Sequence, residues 1–294
     1  ARWSDLVQSA EYQDAVHAAD TWCAAFVAPK LDSAVDITHE QFDIARTNPL
    51  EVSPAVRERT NVLASQFAFI HWHLAFPEVF ATSGGFNLVL GNPPWERVKL
   101  SEKEFFASRS PEIAGLAGAK RKAAIAKLQF ENTLLWDDYQ HSLRHAEAES
   151  HFIRNSGRYP LCGRGDVNTY AAFAESIVGS LQQNGRAGFI APTGIATDDT
   201  YKDFFSYLVT SKRLVSLFGF DHRSPYFGTV QQQFCLMCVG GPGQTTPTPQ
   251  FAFGLLTTED LERDDRIFGL TLQDLERLNP NTRNAPTFIT AKDA

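Results

Sequence analysis

The sequence has few cysteines, no long apolar run and no excess of basic residues, and each shortage excludes a class of protein. Four cysteines in 294 residues are too few for a disulfide framework of the secreted type. No apolar stretch reaches the roughly 18 residues of a membrane helix and no signal peptide is present, so we expect a cytoplasmic protein with no membrane partner. The formal charge of −7 and the pI of about 5.6 argue against a broadly basic nucleic-acid-binding surface, although a local groove can still be basic.

Two short motifs have the spacing of metal or redox sites but lack the partners that such sites need. Cys235 and Cys238, in "QFCLMCVGG", are spaced like half a zinc site or a redox pair. No second pair completes a metal shell, and both lie in an apolar run, so we interpret them as strand core. The "HWH" at 71–73 could chelate a metal, but no acidic or cysteine partners cluster near it. We therefore expect no metal site.

Hydrophobic periodicity divides the chain into three parts. Residues 1–74 carry helical spacing, as in "VRERTNVLASQFAFIHWHLAF", and we expect Pro77 to end that pattern. Residues 75–240 alternate strands and helices, apart from a charged, alanine-rich stretch at about 101–156 that predicts inserted helices. Residues 241–294 predict a linker and the start of a following domain.

The regular alternation after residue 75 is typical of an open α/β sheet. We predict four strands in one sheet, at 86–91, 187–191, 214–219 and 232–239. The segment "TYAAFAESIVGSLQQ" has helix spacing, and Asn184 and Gly185 are expected to stop it. Ligands of such sheets lie beyond the carboxyl ends of the strands, and "NPPW" follows the first predicted strand at such an end.

The basic cluster inside the inserted helices has two readings. Lys120, Arg121, Lys122 and Lys127 could follow a phosphate backbone, but a run of this kind is more often a solvated helix face. We interpret the cluster as a solvated helix face.

In the stretch "FNLVLGNPPW", an apolar strand that we expect to be buried leads directly into a stiff loop. Each proline fixes φ and removes an N–H, so the loop presents carbonyl oxygens without competing donors. Asn92 adds a side-chain carbonyl, and Trp95 adds a flat face on which a ring can stack. Two acceptors and a stacking plane suit an exocyclic amine on a planar heterocycle, which is an adenine or a cytosine.

The same arrangement would also make that amine a better nucleophile. Its lone pair is delocalised into the ring, so the nitrogen is a poor nucleophile. If the side-chain oxygen of Asn92 and the main-chain oxygen of Pro93 accept its two hydrogens, the nitrogen moves toward tetrahedral geometry and can attack an electrophilic methyl group. The base must leave the duplex to reach this loop, at a cost of a few kcal/mol.

At these residues the sequence resembles the amino-methylating DNA methyltransferases, in the adenine-N6 form whose motif begins with Asn. The segments "GRYPLCGRGDVNTYAAFAESIVGSLQQNGRAGFIAPTGIATDDTYKDFF" and "LFGFDHRSPYFGTVQQQFCLMCVGG" are similar to the rest of that family's catalytic half. "FPEVF" and "LERLNPNTRNAPTF" resemble large restriction-modification and phage-defence methylases of the type IIG or BREX kind. The resemblance covers roughly residues 75–294 and does not place the first 70 or so.

The resemblance implies a fold, a cofactor and roles for six residues. It implies a partial Rossmann-like sheet of the class I S-adenosylmethionine-dependent methyltransferases, acting on double-stranded DNA with a flipped adenine. Asn92, Pro93, Pro94 and Trp95 match the catalytic loop. Phe173 matches an aromatic near the adenine of S-adenosylmethionine, and Phe227 matches one that packs against the flipped base opposite the loop. Both could instead be core aromatics.

One departure from the family concerns the cofactor loop. A glycine-rich turn after a first strand has no convincing copy here, because no apolar strand precedes "LCGRGD". We expect that turn upstream of Ala1 and the domain that selects the DNA sequence beyond Ala294. The chain alone is then expected to bind S-adenosylmethionine poorly.

Two alternatives remain open from the residues. One is N4 methylation of cytosine, because the same loop handles any aromatic amine. The other is an inactive DNA-binding or scaffolding fragment. A nuclease is disfavoured in this segment, since no convincing cluster of two carboxylates and a lysine lies in a strand context.

Overall fold

The computed structural model describes residues 3–30, 35–227, 232–290 and 292–293. Its α-helices are, in chain order, α1 Trp3–Val7, α2 Ala10–Val27, α3 His39–Thr47, α4 Pro54–Phe67, α5 Trp72–Ala75, α6 Pro77–Ser83, α7 Glu102–Arg109, α8 Pro111–Ala114, α9 Gly118–Glu131, α10 Thr133–Asn155, α11 Thr169–Ser180, α12 Gly194–Thr197, α13 Lys202–Thr210 and α14 Leu272–Leu278. Its strands are β1 Phe86–Gly91, β2 Leu181–Pro192, β3 Leu214–Phe220, β4 Phe234–Gly240, β5 Gln250–Leu255 and β6 Phe268–Gly269. Over these residues no helix combines the length and the apolar character needed to cross a membrane.

The chain forms two compact units, and the first is helical. It comprises Ala1–Leu74 and Arg97–Arg158. Serine and threonine side chains begin several of its helices by accepting a backbone N–H at the first turn: Ser9 for α2, Thr38 for α3 and Ser53 for α4. Its apolar contacts form separate small clusters, one around Ala24, Val27, Leu63 and Ala148, another around Phe105, Phe106, Ile125, Leu128 and Tyr139. The segment expected to hold inserted helices carries α7 to α10.

The second unit contains the sheet. It comprises Ala75–Glu96 and Tyr159–Ala294, and its strand order is β1-β2-β4-β3-β5-β6. β1 and β2 are parallel, β4 is antiparallel to both β2 and β3, and β3 and β5 are parallel. The four predicted strands are therefore confirmed as members of one mixed α/β sheet. Buried side chains of α11 and α13 pack on one face of it, among them Tyr170, Ala174, Phe204 and Leu208 against Phe189 and Leu217.

Two predicted helix ends were wrong. α11 ends at Ser180 rather than at Asn184, because Leu181 pairs with Phe86 and already belongs to β2. Gly185 has a different role from stopping the helix: a Cβ there would lie 2.5 Å from the carbonyl oxygen of Phe86, so only glycine allows the two strands to approach.

Pro77 begins a helix instead of ending one. The helix α4 ends at Phe67, where Ala68 takes a left-handed conformation with φ of 49°, and the short helix α5 ends at Ala75, before Pro77. Pro77 then stands at the first turn of α6, where a missing N–H costs nothing because helix starts leave that group unpaired.

The strand that leads into "NPPW" is not buried as the sequence suggested. Among the described residues β1 pairs only with β2, so it is an edge strand. Val89 packs against the main core, but Leu88 and Leu90 are 61% and 73% exposed. An apolar strand sequence reports a preference for extended structure and does not report whether both faces are covered.

Candidate active site around the NPPW loop

The loop Asn92–Trp95 leaves β1 at the edge where β2 and β3 also end. β1 and β2 are parallel, and β4 runs antiparallel to both β2 and β3, so the carboxyl ends of these three strands lie at one edge of the sheet. This is the edge at which open α/β sheets bind ligands.

A hydroxyl group on the neighbouring helix holds the loop in place. Thr169, the first residue of α11, donates from Oγ1 to the carbonyl oxygen of Pro94 at 2.7 Å. Oγ1 of Thr169 also accepts the N–H of Glu96 at 3.0 Å, and the N–H of Thr169 donates to the carbonyl of Glu96 at 2.9 Å. Because the prolines cannot donate hydrogen bonds of their own, contacts from α11 supply this support.

The two acceptors expected to bind an amine are not used within the chain. Asn92 is exposed. In the part of the chain that the structure describes, neither its side-chain oxygen nor the carbonyl oxygen of Pro93 has a hydrogen-bond partner. The carbonyl of Pro94 differs, since Thr169 occupies it. The loop therefore leaves the acceptors of Asn92 and Pro93 without a partner among the described residues, with Asn92 exposed and Pro93 buried.

Trp95 belongs to a group of aromatic side chains at the same edge. Its ring centroid lies 5.1 Å from that of Phe227 and 6.4 Å from that of Phe234. Phe227, in the 3₁₀ turn Pro225–Phe227, also meets Phe234 edge-on at 4.7 Å. The structure thus brings together Trp95 and Phe227, two residues that the sequence places 132 positions apart.

The indole N–H of Trp95 is buried, and it has no hydrogen-bond partner among the described residues. A buried donor without an acceptor costs about 1–3 kcal/mol. The aromatic group therefore packs at the expense of one polar atom.

Phe173 lies one turn along α11 from Thr169. Its side chain is 46% exposed, so the alternative reading, an aromatic on the buried face of the helix, is wrong. An exposed aromatic face can stack on a planar ring.

The carboxylate of Glu175, on the same helix, holds the segment that precedes α11. It accepts the N–H groups of Leu161 at 3.1 Å and Cys162 at 2.8 Å. Burial raises the pKa of Glu175, and the two backbone donors only partly oppose that shift. The helix that carries Phe173 and Thr169 is thereby joined to the loop before it.

Sequence reasoning missed Thr169 and Glu175. In "NTYAAF" the pair Asn168 and Thr169 resembles an ordinary helix start, and Asn168 is the N-cap, but its side chain makes no capping bond. The Asn168 amide donates instead to the hydroxyl of Tyr201 at 2.8 Å. A hydroxyl at the first position of a helix was the available signal, but sequence spacing does not reveal a partner 75 residues away.

The residues considered for metal binding have other surroundings. Cys235 and Cys238 lie in β4 as free cysteines, and burial raises the pKa of Cys235 to about 12, which confirms a strand-core thiol. His71 lies 2.9 Å from a carboxylate oxygen of Asp20. Among the described residues, no group of three or more His, Cys, Asp or Glu side chains is placed to hold a metal ion.

The basic cluster on α9 divides into two roles. Lys120, Lys122 and Lys127 are exposed, as a solvated face requires. Arg121 is half-buried and donates to the carbonyl oxygens of Ala114 and Leu116, so it holds the end of α8 instead of facing solvent.

Comparison with known proteins finds one family model that is similar to part of the chain. Residues 17–133 match the family of Eco57I restriction-modification methylases, and the matched segment contains the NPPW loop. The resemblance to restriction-modification methylases is therefore confirmed. The match begins well before residue 75, so helices of the first unit belong to it as well.

Solved structures of restriction-modification enzymes are similar to the chain at low identity. One is the type I methyltransferase subunit from Streptococcus thermophilus, with 14% identity over 70% of this chain and 38% of that one and a TM-score of 0.40. Others are the type IIG restriction endonuclease BpuSI, with 14% identity over 94% and 32% and a TM-score of 0.37, and the EcoKI M protein, with 11% identity over 82% and 66% and a TM-score of 0.27. No curated protein matches the chain.

Proposed function

We propose that the chain is the catalytic half of a DNA methyltransferase that methylates the N6 amine of an adenine flipped out of double-stranded DNA. The observation that carries the proposal is the loop itself, a rigid segment at the carboxyl edge of the sheet with the acceptors of Asn92 and Pro93 unoccupied. We assign this activity to a restriction-modification or phage-defence protein, and the family match over residues 17–133 supports the restriction-modification role.

In this proposal the loop activates the amine by position. The side-chain oxygen of Asn92 and the carbonyl oxygen of Pro93 accept the two amine hydrogens, so the nitrogen lone pair turns toward the methyl donor. Preorganised acceptors lower the barrier because they need no rearrangement when the reaction occurs. Thr169 keeps those acceptors in place through Pro94 and Glu96.

Capture of the base requires a movement of the aromatic side chains. A ring stacked between Trp95 and Phe227 would need their centroids about 7 Å apart, twice the 3.4 Å stacking distance of bases, whereas they lie 5.1 Å apart. The rings fill the space that a base would occupy, so one of them turns aside when the base enters. Stacking on the displaced faces then offsets part of the unstacking cost.

S-adenosylmethionine, the cofactor in this proposal, supplies an electrophilic methyl group when bound. The residues present fit part of it: the exposed face of Phe173 suits the adenine ring, and α11 begins at the residue that holds the catalytic loop. Contacts to the ribose and to the methionine portion are not assigned to residues of this chain.

The test measures transfer of labelled methyl groups to DNA by the complete protein. DNA digested to nucleosides should contain N6-methyladenine, and N4-methylcytosine or no product would overturn the proposal. Asn92→Ala should slow transfer about 10²- to 10³-fold, the usual cost of one preorganised contact, with little change in DNA affinity. Asn87→Ala, which alters another exposed asparagine of the same segment, is the matched control and should transfer at the wild-type rate.

A further inference from the structure

Three residues leave the sheet directly beside the aromatic group of the candidate site. β3 ends at Phe220, and Asp221, His222 and Arg223 follow it. The ring of Phe220 stacks on Phe234 with centroids 4.9 Å apart and planes 2° from parallel. Phe234 in turn contacts Trp95, so the triplet starts two rings away from the catalytic loop, at the same edge of the sheet.

Asp221 holds the two residues that follow it. One carboxylate oxygen accepts the backbone N–H of Arg223 at 2.9 Å and its side-chain Nε at 2.8 Å. The same oxygen lies 3.2 Å from Nδ1 of His222. The backbone of Asp221 is fixed as well, because its N–H donates to the carbonyl of Leu255 at the end of β5. These contacts give the triplet a definite geometry.

The side chains of Arg223 and His222 point outward and the carboxylate of Asp221 lies beneath them. The side chains of Arg223 and His222 are 69% and 50% exposed, whereas that of Asp221 is 15% exposed. In the ranges that the structure describes, the terminal NH1 and NH2 groups of Arg223 and Nε2 of His222 have no hydrogen-bond partner. An approaching anion therefore meets unused N–H donors before it meets the carboxylate.

We propose that Arg223 and His222 bind one backbone phosphate of the DNA strand next to the flipped base. A guanidinium offers parallel N–H donors that match phosphate oxygens, and the imidazole ring of His222 adds a second nitrogen group beside it. The chain as a whole carries a charge of −7, so a phosphate contact needs a local cationic site of this kind. The inference rests on the proposed function, since it assumes that the base enters at the aromatic side chains of Trp95, Phe227 and Phe234.

The position favours a DNA phosphate over the carboxylate of the cofactor. The triplet adjoins Phe220, Phe234 and Trp95, the side on which the base is proposed to stack. Phe173, the residue proposed to meet the cofactor, belongs to another element, α11. A cofactor contact from the triplet remains a distinct outcome that binding measurements can detect.

The experiment measures the salt dependence of DNA binding by the complete protein. Each phosphate contact contributes about 0.9 to the slope of log affinity against log salt concentration. A double variant, His222→Gln with Arg223→Gln, should reduce that slope by about 1 and weaken binding to all sequences alike. Lys212→Gln is the matched control, because it removes an exposed cation just before the opposite end of the same strand, and its slope should equal that of the wild type.

Further measurements separate the possible results. Arg223→Lys keeps the charge and should keep most of the slope, which a purely structural role of the Asp221–Arg223 pair does not predict. An unchanged slope in the double variant overturns the inference, and so does an altered affinity for S-adenosylmethionine with an unchanged slope. Methyl transfer by the wild-type protein is measured in parallel. If the wild type transfers methyl groups but the double variant has an unchanged slope, this inference alone is wrong. If the wild type binds DNA without transferring methyl groups to it, the proposed function is wrong, and if it does not bind DNA, both are wrong.

Discussion

The hydroxyl of Thr169 lies 2.7 Å from the carbonyl oxygen of Pro94 and so joins the first turn of α11 to the NPPW loop. Two successive prolines make that loop stiff but also remove the N–H groups with which it could anchor itself. The anchor comes from another element. A side chain that never touches the substrate can in this way determine where Asn92 and Pro93 stand.

Replacement of Thr169 tests this positioning role. Thr169→Val keeps the shape of the side chain and removes the hydroxyl, so the loop loses the bond to Pro94 and the acceptor for Glu96. We expect kcat for methyl transfer to fall by about 10²-fold, the usual cost of a misplacement of about 1 Å, while KM for DNA changes little. Thr169→Ser restores the hydroxyl and should recover most of the rate. A Ser variant as slow as the Val variant would show that the hydroxyl is not what matters.

Substitutions of Trp95 separate packing from hydrogen bonding. Trp95→Phe keeps a ring against Phe227 and Phe234 and removes the buried N–H that has no partner among the described residues. The free energy of unfolding should therefore stay level or rise. Trp95→Ala removes the ring, and should weaken binding of DNA that presents an extruded base by about 1–3 kcal/mol. Denaturant titration and DNA binding measure the two effects, and a Phe variant clearly less stable than the wild type would contradict the interpretation.

The pH dependence of stability should carry a contribution from Glu175. The ordinary pKa of a glutamate is 4.5 and burial raises that of Glu175 in the folded protein. Its contribution to stability is then fully present below pH 4.5 and is lost as the pH rises through the folded pKa. The free energy of unfolding of the wild type relative to Glu175→Gln should accordingly decrease with pH. Glu131→Gln, at an exposed position, serves as the control, and a difference that grows with pH would refute the assignment.

The sequence predicted elements well where one short segment determines them. Strands at 86–91, 214–219 and 232–239 follow from apolar runs, and the structure has β1, β3 and β4 there. The motif Asn92–Trp95 could also be predicted from the sequence, because its stiffness and its acceptors are local properties of the residues. The position of β1 at the edge of the sheet could not be predicted, since strand pairing depends on which other strands are present.

Features that join distant parts of the chain lay outside the reach of sequence reasoning. Contact between Trp95 and Phe227 and the bond from Thr169 to Pro94 both depend on the sheet order. The hydrogen bonds from Arg223 to Asp221 join residues only two positions apart. Their relevance to the candidate site comes from the neighbouring ring of Phe220, which stacks on Phe234. In each case the residue types were visible, and the geometry that gives them a use was not.

The exposed edge of β1 affects the behaviour of the chain in concentrated solution. A strand with one neighbour presents a row of backbone donors and acceptors to other molecules, and Leu88 and Leu90 add apolar side chains to that row. Edges of this kind are where separate copies of a protein pair and aggregate. The NPPW loop begins directly after Gly91, the last residue of that same strand, so self-association through β1 would cover the loop in each copy that pairs.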